Sequence, residues 1–490
     1  MAVNEATQTQ RCSSALKLSK QIISPVLCDL FNLCIIQGIY PDALKVAEVI
    51  PVFKKGDKYN VNNYRPISIL SQFNKIFEQL INSRLTKYLE KFNLLSEHQF
   101  GFRKNHSTNY AITNIYNKLI TNVDNNLYSC CLFLDFTKAF DTVDHQILLF
   151  KMNKYFGIRG IPNNLFASYL NNRRQYTKIC HTKSKEQNIT CGVPQGSCLG
   201  PIFFLMYIND LPLSSDFETT IFADDTYLML ADNDLCKLEN RVNLELVKID
   251  HWLRKNKLSL NYAKTNYMIV NKQPRTKVNY VFNLSIKNYV LTRASTVKYL
   301  GVLFDDDLCW SSHICQLSLQ LARYSGLFYK LRPFATQETL CMLYYSLIYS
   351  RIQYGISAWG TANKTKLNPL RVRLNNILRI IVRKDSRTPT LVLYKQLSFL
   401  KLDDIYKLEL AKIMYLLQHN RLPRILHNCF TKIQTIHSHN TRQLLNNVYF
   451  LPRVNKQFAQ NLLSYRGTKL WTTIDNDIKS LDWSPFKKKV

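Results

Sequence analysis

The spacing of hydrophobic and polar residues along the chain predicts a mixture of helices and strands. Apolar residues recur at helical intervals from Ile22 onward, and short uninterrupted apolar runs, which favour buried strands, lie between them. This pattern predicts strands over residues 46–53, 130–134 and 297–304, and a strand, turn and strand over 219–230. It predicts helices over residues 67–92, after Asp141, and over 321–331, 340–349 and 370–383. The mixture indicates an α+β protein that is mostly helical beyond Ile314.

The length and apolar content allow two or three domains with buried cores. The chain has 490 residues, of which 46% are hydrophobic. No apolar run reaches the roughly 18 residues of a membrane span, and residues 201–208 form one of the longest. Residues 1–14 are polar, carry no pattern and do not resemble a signal peptide. We therefore expect no membrane association.

The charge of the chain indicates a nucleic-acid partner. Lys and Arg number 65 and Asp and Glu 34, which gives a net charge of +31, and such an excess favours binding to phosphate backbones. Basic residues recur along the whole chain, including the stretch from Lys17 to Lys489, which suits a long channel better than an amphipathic membrane helix. A basic protein that is merely soluble is the alternative interpretation.

The cysteines indicate a reducing compartment. There are 13 of them and no CxxC pair, so we expect reduced thiols and an intracellular protein. Cys429, His437 and His439 lie close together in the sequence, but their spacing matches no zinc-binding pattern, and packing or surface roles are expected for them.

Acidic residues beside apolar strands are the candidates for chemistry. Asp135 ends the predicted strand 130–134, and Asp224 and Asp225 occupy the turn of the predicted hairpin. Carboxylates brought together repel one another, and a pair of Mg²⁺ ions resolves this repulsion in enzymes of phosphoryl transfer. The competing interpretation is that an Asp pair simply suits a turn. From the residues alone, both interpretations stand.

Seven motifs decide between these two interpretations. In chain order they are NYRPIS (63–68), QFGFR (99–103), LDFTKAFDTVDH (134–145), GVPQGSCLGP (192–201), FADD (222–225), LNYAKT (260–265) and YLGV (299–302). Together, and in this order, they resemble the reverse transcriptases of non-LTR (LINE-type) retrotransposons, and most closely the jockey and CR1-like groups. The resemblance covers the chain from about Ile22 and is weakest after Gly360. The resemblance implies a right-hand polymerase with fingers, a palm of antiparallel sheet and helices, and a helical thumb.

The resemblance also implies a catalytic site. Asp135 and Asp224 would bind two Mg²⁺ ions, or Mn²⁺ in their place, with the Phe136 carbonyl as a further ligand and Asp225 as a less direct one. Lys264 would be the acid that protonates the departing pyrophosphate, although an ordinary surface lysine is the default interpretation of any single Lys. Because the implied palm carries these acids at adjacent strands, we expect strand pairing to bring Asp135 to Asp224, which is 89 positions later (224 − 135).

A second implied group of residues would contact the incoming nucleotide. Arg65 would hold the triphosphate, since a guanidinium group forks onto phosphate oxygens. Phe140 would exclude a ribose 2′-hydroxyl, with a core position as its rival interpretation. Gln195 and Gly196 would approach the nascent base pair, because a residue without Cβ permits close contact with a ligand; a simple Pro-Gly turn is the rival there.

The remaining expectations concern organisation and helix ends. By resemblance, residues 22–272 would form fingers and palm after an unpatterned segment 1–21, residues 273–365 the primer grip and the start of the thumb, and 366–490 a helical basic region. Residues 299–302 would hold the primer end. Asp141 and Asp144 fall where a helix is predicted to begin, so we expect capping roles for them.

The expected function is RNA-directed DNA synthesis, with an RNA template, a DNA primer or target and dNTPs as partners. The nucleus and cytoplasm are the expected location, and no protein partner is indicated. Relatives usually carry an endonuclease ahead of the polymerase, and many carry a zinc knuckle; neither is visible here, so we expect a chain that does not nick its own target. A non-catalytic nucleic-acid-binding relic and a group II intron maturase are the rival interpretations.

Overall fold

The computed structural model describes residues 18–273, 275–435 and 449–489. These residues form two compact units, each assembled from three chain segments. The first unit contains residues 1–102, 136–215 and 248–261, and the second contains residues 103–135, 216–247 and 262–490, within the described ranges. Residues 1–14 lie outside those ranges.

Of the three residues Cys429, His437 and His439, which lie close together in the sequence, the two histidines are outside the described ranges. The Cys429 thiol packs 3.5 Å from the Asn117 side-chain nitrogen.

Helices and strands follow one another along the whole described chain. In chain order the strands are β1 (Val46–Phe53), β2 (Tyr64–Ile69), β3 (Tyr128–Leu134), β4 (Arg174–Ile179), β5 (Thr182–Lys183), β6 (Gln187–Asn188), β7 (Glu218–Phe222), β8 (Asp225–Asp232), β9 (Asn266–Val270), β10 (Ser285–Ile286), β11 (Tyr289–Val290), β12 (Thr292–Arg293), β13 (Thr296–Tyr299) and β14 (Val302–Asp305). The helices are α1 (Lys20–Gln37), α2 (Gln72–Lys91), α3 (Thr108–Asp124), α4 (His145–Lys154), α5 (Ile161–Leu170), α6 (Gly200–Ile208), α7 (Leu235–Lys255), α8 (Ser311–Leu331), α9 (Gln337–Tyr344), α10 (Ser350–Gln353), α11 (Ile356–Trp359), α12 (Lys364–Val382), α13 (Thr390–Leu397), α14 (Leu402–Gln418), α15 (Arg424–His427), α16 (Leu463–Trp471), α17 (Asn476–Lys479) and α18 (Trp483–Lys489).

The first unit contains a small sheet in which β2, β1, β4 and β5 are neighbours and β6 pairs with β4. The strand predicted over residues 46–53 is confirmed as β1. The helix predicted over 67–92 is wrong at its start, because Ile67 and Ile69 belong to β2 and pair with Ile50 and Glu48 of β1. The helix itself begins only after Ser71, whose hydroxyl accepts a hydrogen bond from the Asn74 backbone N–H.

The second unit contains a sheet in the order β12, β9, β3, β8, β7, with β3 at its centre. Strand β3 is antiparallel to both β8 and β9, and nearly all of its residues are buried, including Cys130 and Cys131. A strand that is covered on both faces reads as a continuous apolar run, which is why its position could be predicted. The predicted hairpin over 219–230 is confirmed as β7 and β8.

The strand predicted over residues 297–304 is a hairpin of two strands, β13 and β14, so this prediction is wrong. Tyr299 pairs with Val302, and the two residues between them turn the chain. Leu300 has φ +44° and Gly301 φ +81°, the two positive values of a type I′ turn. Such turns usually begin with Asn or Asp, and the Leu at this position hides the signal.

The C-terminal part is helical as predicted, and a π-helical turn, Tyr345–Tyr349, continues α9. The apolar run 201–208 lies in α6, a short helix in which nearly every residue is buried in the first unit. In the described part of the chain, no helix is long and apolar enough to cross a membrane. The combination of sheets, flanking helices and a helical C-terminal part confirms the α+β class.

Candidate active site

The two predicted acid positions meet at one end of the second unit's sheet. Leu134 ends β3 and pairs with Thr226 of β8, so the same register places Asp135 opposite Asp225. Asp224 precedes Asp225 in the turn before β8. Adjacent antiparallel strands therefore bring Asp135 to the Asp224–Asp225 pair, as predicted, and the Asp135 side chain is 37% exposed there.

A tight turn presents Asp224. Phe222 pairs with Asp225, which leaves Ala223 and Asp224 as a two-residue hairpin loop. Ala223 is buried and has φ +56°, whereas Asp224 does not share this positive φ. A positive φ at the first loop residue alone is typical of a type II′ turn, where Gly is usual. An alanine in this left-handed region costs about 1 kcal/mol, so the packing around the turn holds it in a strained form.

Lys264 lies on the other side of Asp135. Strand β9 pairs Asn266 with Phe133, and the same register places Lys264 opposite Asp135. The Lys264 Nζ atom is 3.0 Å from Asp135 Oδ2. Asp135 thus lies between a carboxylate on one neighbouring strand and an ammonium group preceding the other.

The buried Tyr299 hydroxyl forms hydrogen bonds to the backbone on both sides of the turn. The Tyr299 ring is buried against Phe133 and Tyr227, and its hydroxyl donates to the backbone carbonyls of Asp225 (3.1 Å) and Thr220 (3.3 Å). Burial, together with the Asp225 and Asp224 carboxylates, raises the pKa of Tyr299 well above its usual value, so the phenol stays protonated and donates. Tyr299 is only 5% exposed, so little of its ring is accessible, and the expected contact of residues 299–302 with a primer stays a prediction.

The donor set at this sheet end suits a hard divalent cation. Carboxylate oxygens are the ligands that Mg²⁺ takes in proteins, and Asp135 supplies such oxygens although the Lys264 ammonium group offsets part of its charge. Within the described ranges, no group of three or more His, Cys, Asp or Glu side chains is arranged so that it could hold a metal ion. The three aspartates nevertheless fit a divalent cation by the chemistry of their oxygen atoms and by the strand register that brings them to one sheet end. Phe136, the further predicted ligand, belongs to the first unit, where its backbone bridges to Leu260.

In the first unit, the motif GVPQG forms a loop that the segment 140–145 holds in place. The backbone carbonyls of Phe140 and Val143 accept hydrogen bonds from Val193 (2.9 Å) and Gly192 (2.7 Å). His145 Nε2 lies 2.7 Å from the Gly192 carbonyl oxygen. A Cβ on Gly192 would lie 2.6 Å from the Asp141 carbonyl oxygen, so only glycine permits this approach.

The far end of the loop contacts β2. The Ser68 N–H donates to the Gln195 carbonyl (2.7 Å), and a Cβ on Gly196, which has φ +125°, would lie 2.5 Å from the Ser68 carbonyl oxygen. Arg65 lies on the same strand with an exposed side chain. The first unit therefore brings the Gln195–Gly196 backbone against the strand that carries Arg65.

Phe140 is half-buried, and its ring lies 4.5 Å from the ring of Phe204 on α6. One side of the ring is therefore packed and part of it is accessible, so a core role and a role as barrier to a 2′-hydroxyl both remain open for Phe140.

The two acids predicted to cap a helix have different roles. Asp141 does not cap a helix, which corrects the sequence prediction: Asp141 Oδ1 accepts a hydrogen bond from Gln195 Nε2 at 2.8 Å. Asp144 is confirmed as the cap of α4, since it accepts from the Ile147 N–H.

Two contributors were missed from sequence. Glu78 is fully buried in α2, and its carboxylate accepts hydrogen bonds from the Cys198 N–H (2.5 Å) and the Tyr169 hydroxyl (2.8 Å). A buried Glu at a core position of a helix is an unusual pattern that could have identified it. The other is the supporting role of Tyr299, which was predicted only as part of the primer-grip segment 299–302; nothing in the local sequence indicates that its hydroxyl would reach the Asp225 backbone.

Residues 52–304, just over half of the chain, match the family model described as "Reverse transcriptase (RNA-dependent DNA polymerase)". The matched range contains every site residue discussed above. The chain therefore belongs to the reverse transcriptase family, whose members are generally metal-dependent and act on nucleic-acid templates. Its mixed sheets and helices and its helical C-terminal part are consistent with the right-hand polymerase fold.

Two of the chain's relatives are named as RNA-directed DNA polymerases of mobile elements. The chain is 29% identical to the probable RNA-directed DNA polymerase from transposon X-element of Drosophila melanogaster, over 76% of this chain and 41% of that protein. It is 28% identical to the RNA-directed DNA polymerase from mobile element jockey of the same organism, over 72% and 39%. The chain thus spans well under half the length of these relatives. Among solved structures, apo telomerase from Candida tropicalis matches with a TM-score of 0.38 and 10% identity, covering 84% of this chain and 66% of that one.

Proposed function

We propose that this chain is an RNA-directed DNA polymerase of a non-LTR retrotransposon. The observation that carries the proposal is the register of β3 with β8, which places Asp135 opposite the Asp224–Asp225 turn. The primer 3′-hydroxyl would attack the α-phosphate of a dNTP, forming a new phosphodiester bond as the bond to pyrophosphate breaks. Such a reaction needs positioning and charge stabilisation more than covalent chemistry from the protein.

In the second unit, Asp135, Asp224 and Asp225 would hold Mg²⁺, or Mn²⁺. When two such ions are bound, they make the attacking hydroxyl more acidic and stabilise the charge that develops on the leaving group. The three carboxylates supply the negative charge that retains the ions at this sheet end. Lys264 Nζ, which already contacts Asp135, is the proposed proton donor to pyrophosphate.

In the first unit, we assign nucleotide contacts to Arg65, Phe140, Gln195 and Gly196. The exposed Arg65 guanidinium suits a triphosphate, and the accessible part of the Phe140 ring suits a steric barrier to a 2′-hydroxyl. The backbone of Gln195 and Gly196 is anchored to β2 through Ser68, which supports a fixed surface for the nascent base pair.

Nucleic acid is the proposed macromolecular partner, as an RNA template and a DNA primer or target. The net charge of +31 supports this assignment. We assign residues 22–272 to fingers and palm, 273–365 to the primer grip and the start of the thumb, and 366–490 to a basic helical region.

Primer extension on an RNA template tests the proposal. Asp224→Asn removes one anionic ligand at nearly constant size, and we expect extension in Mg²⁺ to fall by several orders of magnitude while primer–template binding is retained. Asp232→Asn is the matched control, because Asp232 lies at the other end of β8 and pairs with Arg241 at 2.9 Å; it should extend at nearly the parental rate. Extension by the Asp224→Asn variant at the parental rate would refute the site, and a parent that binds but never extends would indicate a non-catalytic relic.

A further inference from the structure

Gln195 is held at both its backbone and its side chain, and the side-chain contact comes from a residue with no role in the proposed chemistry. Asp141 Oδ1 accepts a hydrogen bond from Gln195 Nε2 at 2.8 Å, across 54 positions of sequence. The backbone of Asp141 also abuts the loop, since its carbonyl oxygen fills the space that a Cβ on Gly192 would need. Asp141 therefore touches the loop at its first residue and at Gln195.

The chemistry of this pair fixes the orientation of the amide. An ionised carboxylate only accepts hydrogen bonds, whereas an amide has a donor end and an acceptor end. Asp141 therefore selects the Nε2 end of Gln195 and leaves Oε1 directed elsewhere. Burial raises the pKa of Asp141, and the bond from Gln195 counteracts this effect by stabilising the charged form.

We propose that Asp141 is a positioning residue that fixes the side-chain orientation of Gln195, and through it the affinity for the incoming nucleotide. The inference rests on the proposed function, because it takes Gln195 as a nucleotide contact. Asp141 itself would touch neither the substrate nor the metal. Its effect would be to prevent the Gln195 amide from rotating, so that no ordering cost arises when a nucleotide binds.

Steady-state kinetics separates positioning from simple stability. Asp141→Leu, which has similar size and no acceptor, should raise the KM for dNTP on the order of tenfold, since a hydrogen bond to a charged group is lost, with a much smaller change in kcat. Asp141→Asn keeps an acceptor oxygen and should stay within about threefold of the parent. Asp144→Leu is the matched control: it removes the cap of α4 from the same segment and should lower the melting temperature without raising KM.

A second measurement tests the contact without relying on catalysis. Gln195→Glu places two carboxylates together and should lower the melting temperature, and adding Asp141→Asn should restore it, because the new amide can donate to Glu. Failure of the double variant to recover would overturn the contact.

The kinetic outcomes distinguish the two proposals. If Gln195→Ala raises the KM but Asp141→Leu does not, the positioning role is wrong while the polymerase proposal stands. If neither changes the KM, Gln195 is not a nucleotide contact and the inference fails with it. If Asp141→Asn is as impaired as Asp141→Leu, the charge rather than the hydrogen bond matters, and the orientation argument is wrong.

Discussion

The Lys264 ammonium group lies 3.0 Å from a carboxylate oxygen of Asp135. The β9 register brings Lys264 to this position, and the β8 register brings Asp225 to the opposite side. Lys264 thereby neutralises part of the negative charge at the end of the sheet. A divalent cation that binds Asp135 has to compete with this ammonium group for the same carboxylate.

Removing the ammonium group should therefore strengthen metal binding. We expect Lys264→Ala to bind Mn²⁺ a few-fold more tightly in the absence of nucleic acid, since exposed ion pairs contribute about 0.2–1 kcal/mol, and to polymerise more slowly. Titration calorimetry measures the first effect and primer extension the second. The control is Lys257→Ala, which breaks the ion pair with Asp144. Equal Mn²⁺ affinity in Lys264→Ala and the parent would contradict the competition.

The Tyr299 hydroxyl should matter more for rate than for stability. Tyr299→Phe removes the donor to the Asp225 and Thr220 carbonyls and should cost about 1 kcal/mol of unfolding free energy, with a clear fall in kcat because the acid turn loses its support. Tyr267→Phe is matched, since this buried tyrosine donates to the Phe282 carbonyl at 2.7 Å, away from the turn. Denaturant unfolding and primer extension of both variants check the prediction. Similar losses of rate would show that the effect is general.

One side of the Phe140 ring packs against Phe204. Whether the accessible side contacts the incoming sugar distinguishes a steric barrier from a core residue. If the ring bars a 2′-hydroxyl, Phe140→Val should lower the ratio of kcat/KM for dNTP over rNTP through better ribonucleotide use. Phe203→Val opens a cavity on the same helix, where Phe203 packs against Phe166 and Tyr169, and should cost about 1–3 kcal/mol with the ratio unchanged. An unchanged ratio in Phe140→Val would assign this residue to the core.

Acid should destabilise the second unit through His313. Burial and the charge of Lys298 lower the pKa of His313 to about 4, below the unfolded value of about 6.5. Its contribution to stability is complete above pH 6.5 and is lost as the pH falls towards 4, with a total on the order of 3 kcal/mol. His313→Asn should flatten this decline, whereas His251→Asn, an exposed change, should not. Urea unfolding at several pH values measures the decline in unfolding free energy. Parallel plots of unfolding free energy against pH for the parent and His313→Asn would disprove the role of His313.

Continuous buried strands and the acid hairpin could be predicted because their signals are local. Strand β3 is an unbroken apolar run, and the two strands around Asp224 are apolar on both sides of the turn. The order of the motifs then identified the residues that the sheet brings together. These features explain why the α+β class, the family and the meeting of Asp135 with the Asp224–Asp225 turn followed from the sequence.

The errors arose where pairing between distant residues decides the structure. Ile67 and Ile69 have apolar spacing compatible with a helix, and only their pairing with β1 makes them a strand. Asp141 stands at a position that suits a cap, but its carboxylate binds Gln195, which is 54 positions away. Local patterns carry no information on such partners.

The central position of β3 has a consequence for how the chain folds as it is synthesised. Leu134 can pair with Thr226 only after another 92 residues have been synthesised (226 − 134). Ser129 can pair with Val270 only after another 141 residues (270 − 129). At cellular translation rates this delay lasts on the order of ten seconds. During that time an apolar strand with two unpaired edges leaves the ribosome, so the nascent chain is expected to need chaperone protection until residue 270 has emerged.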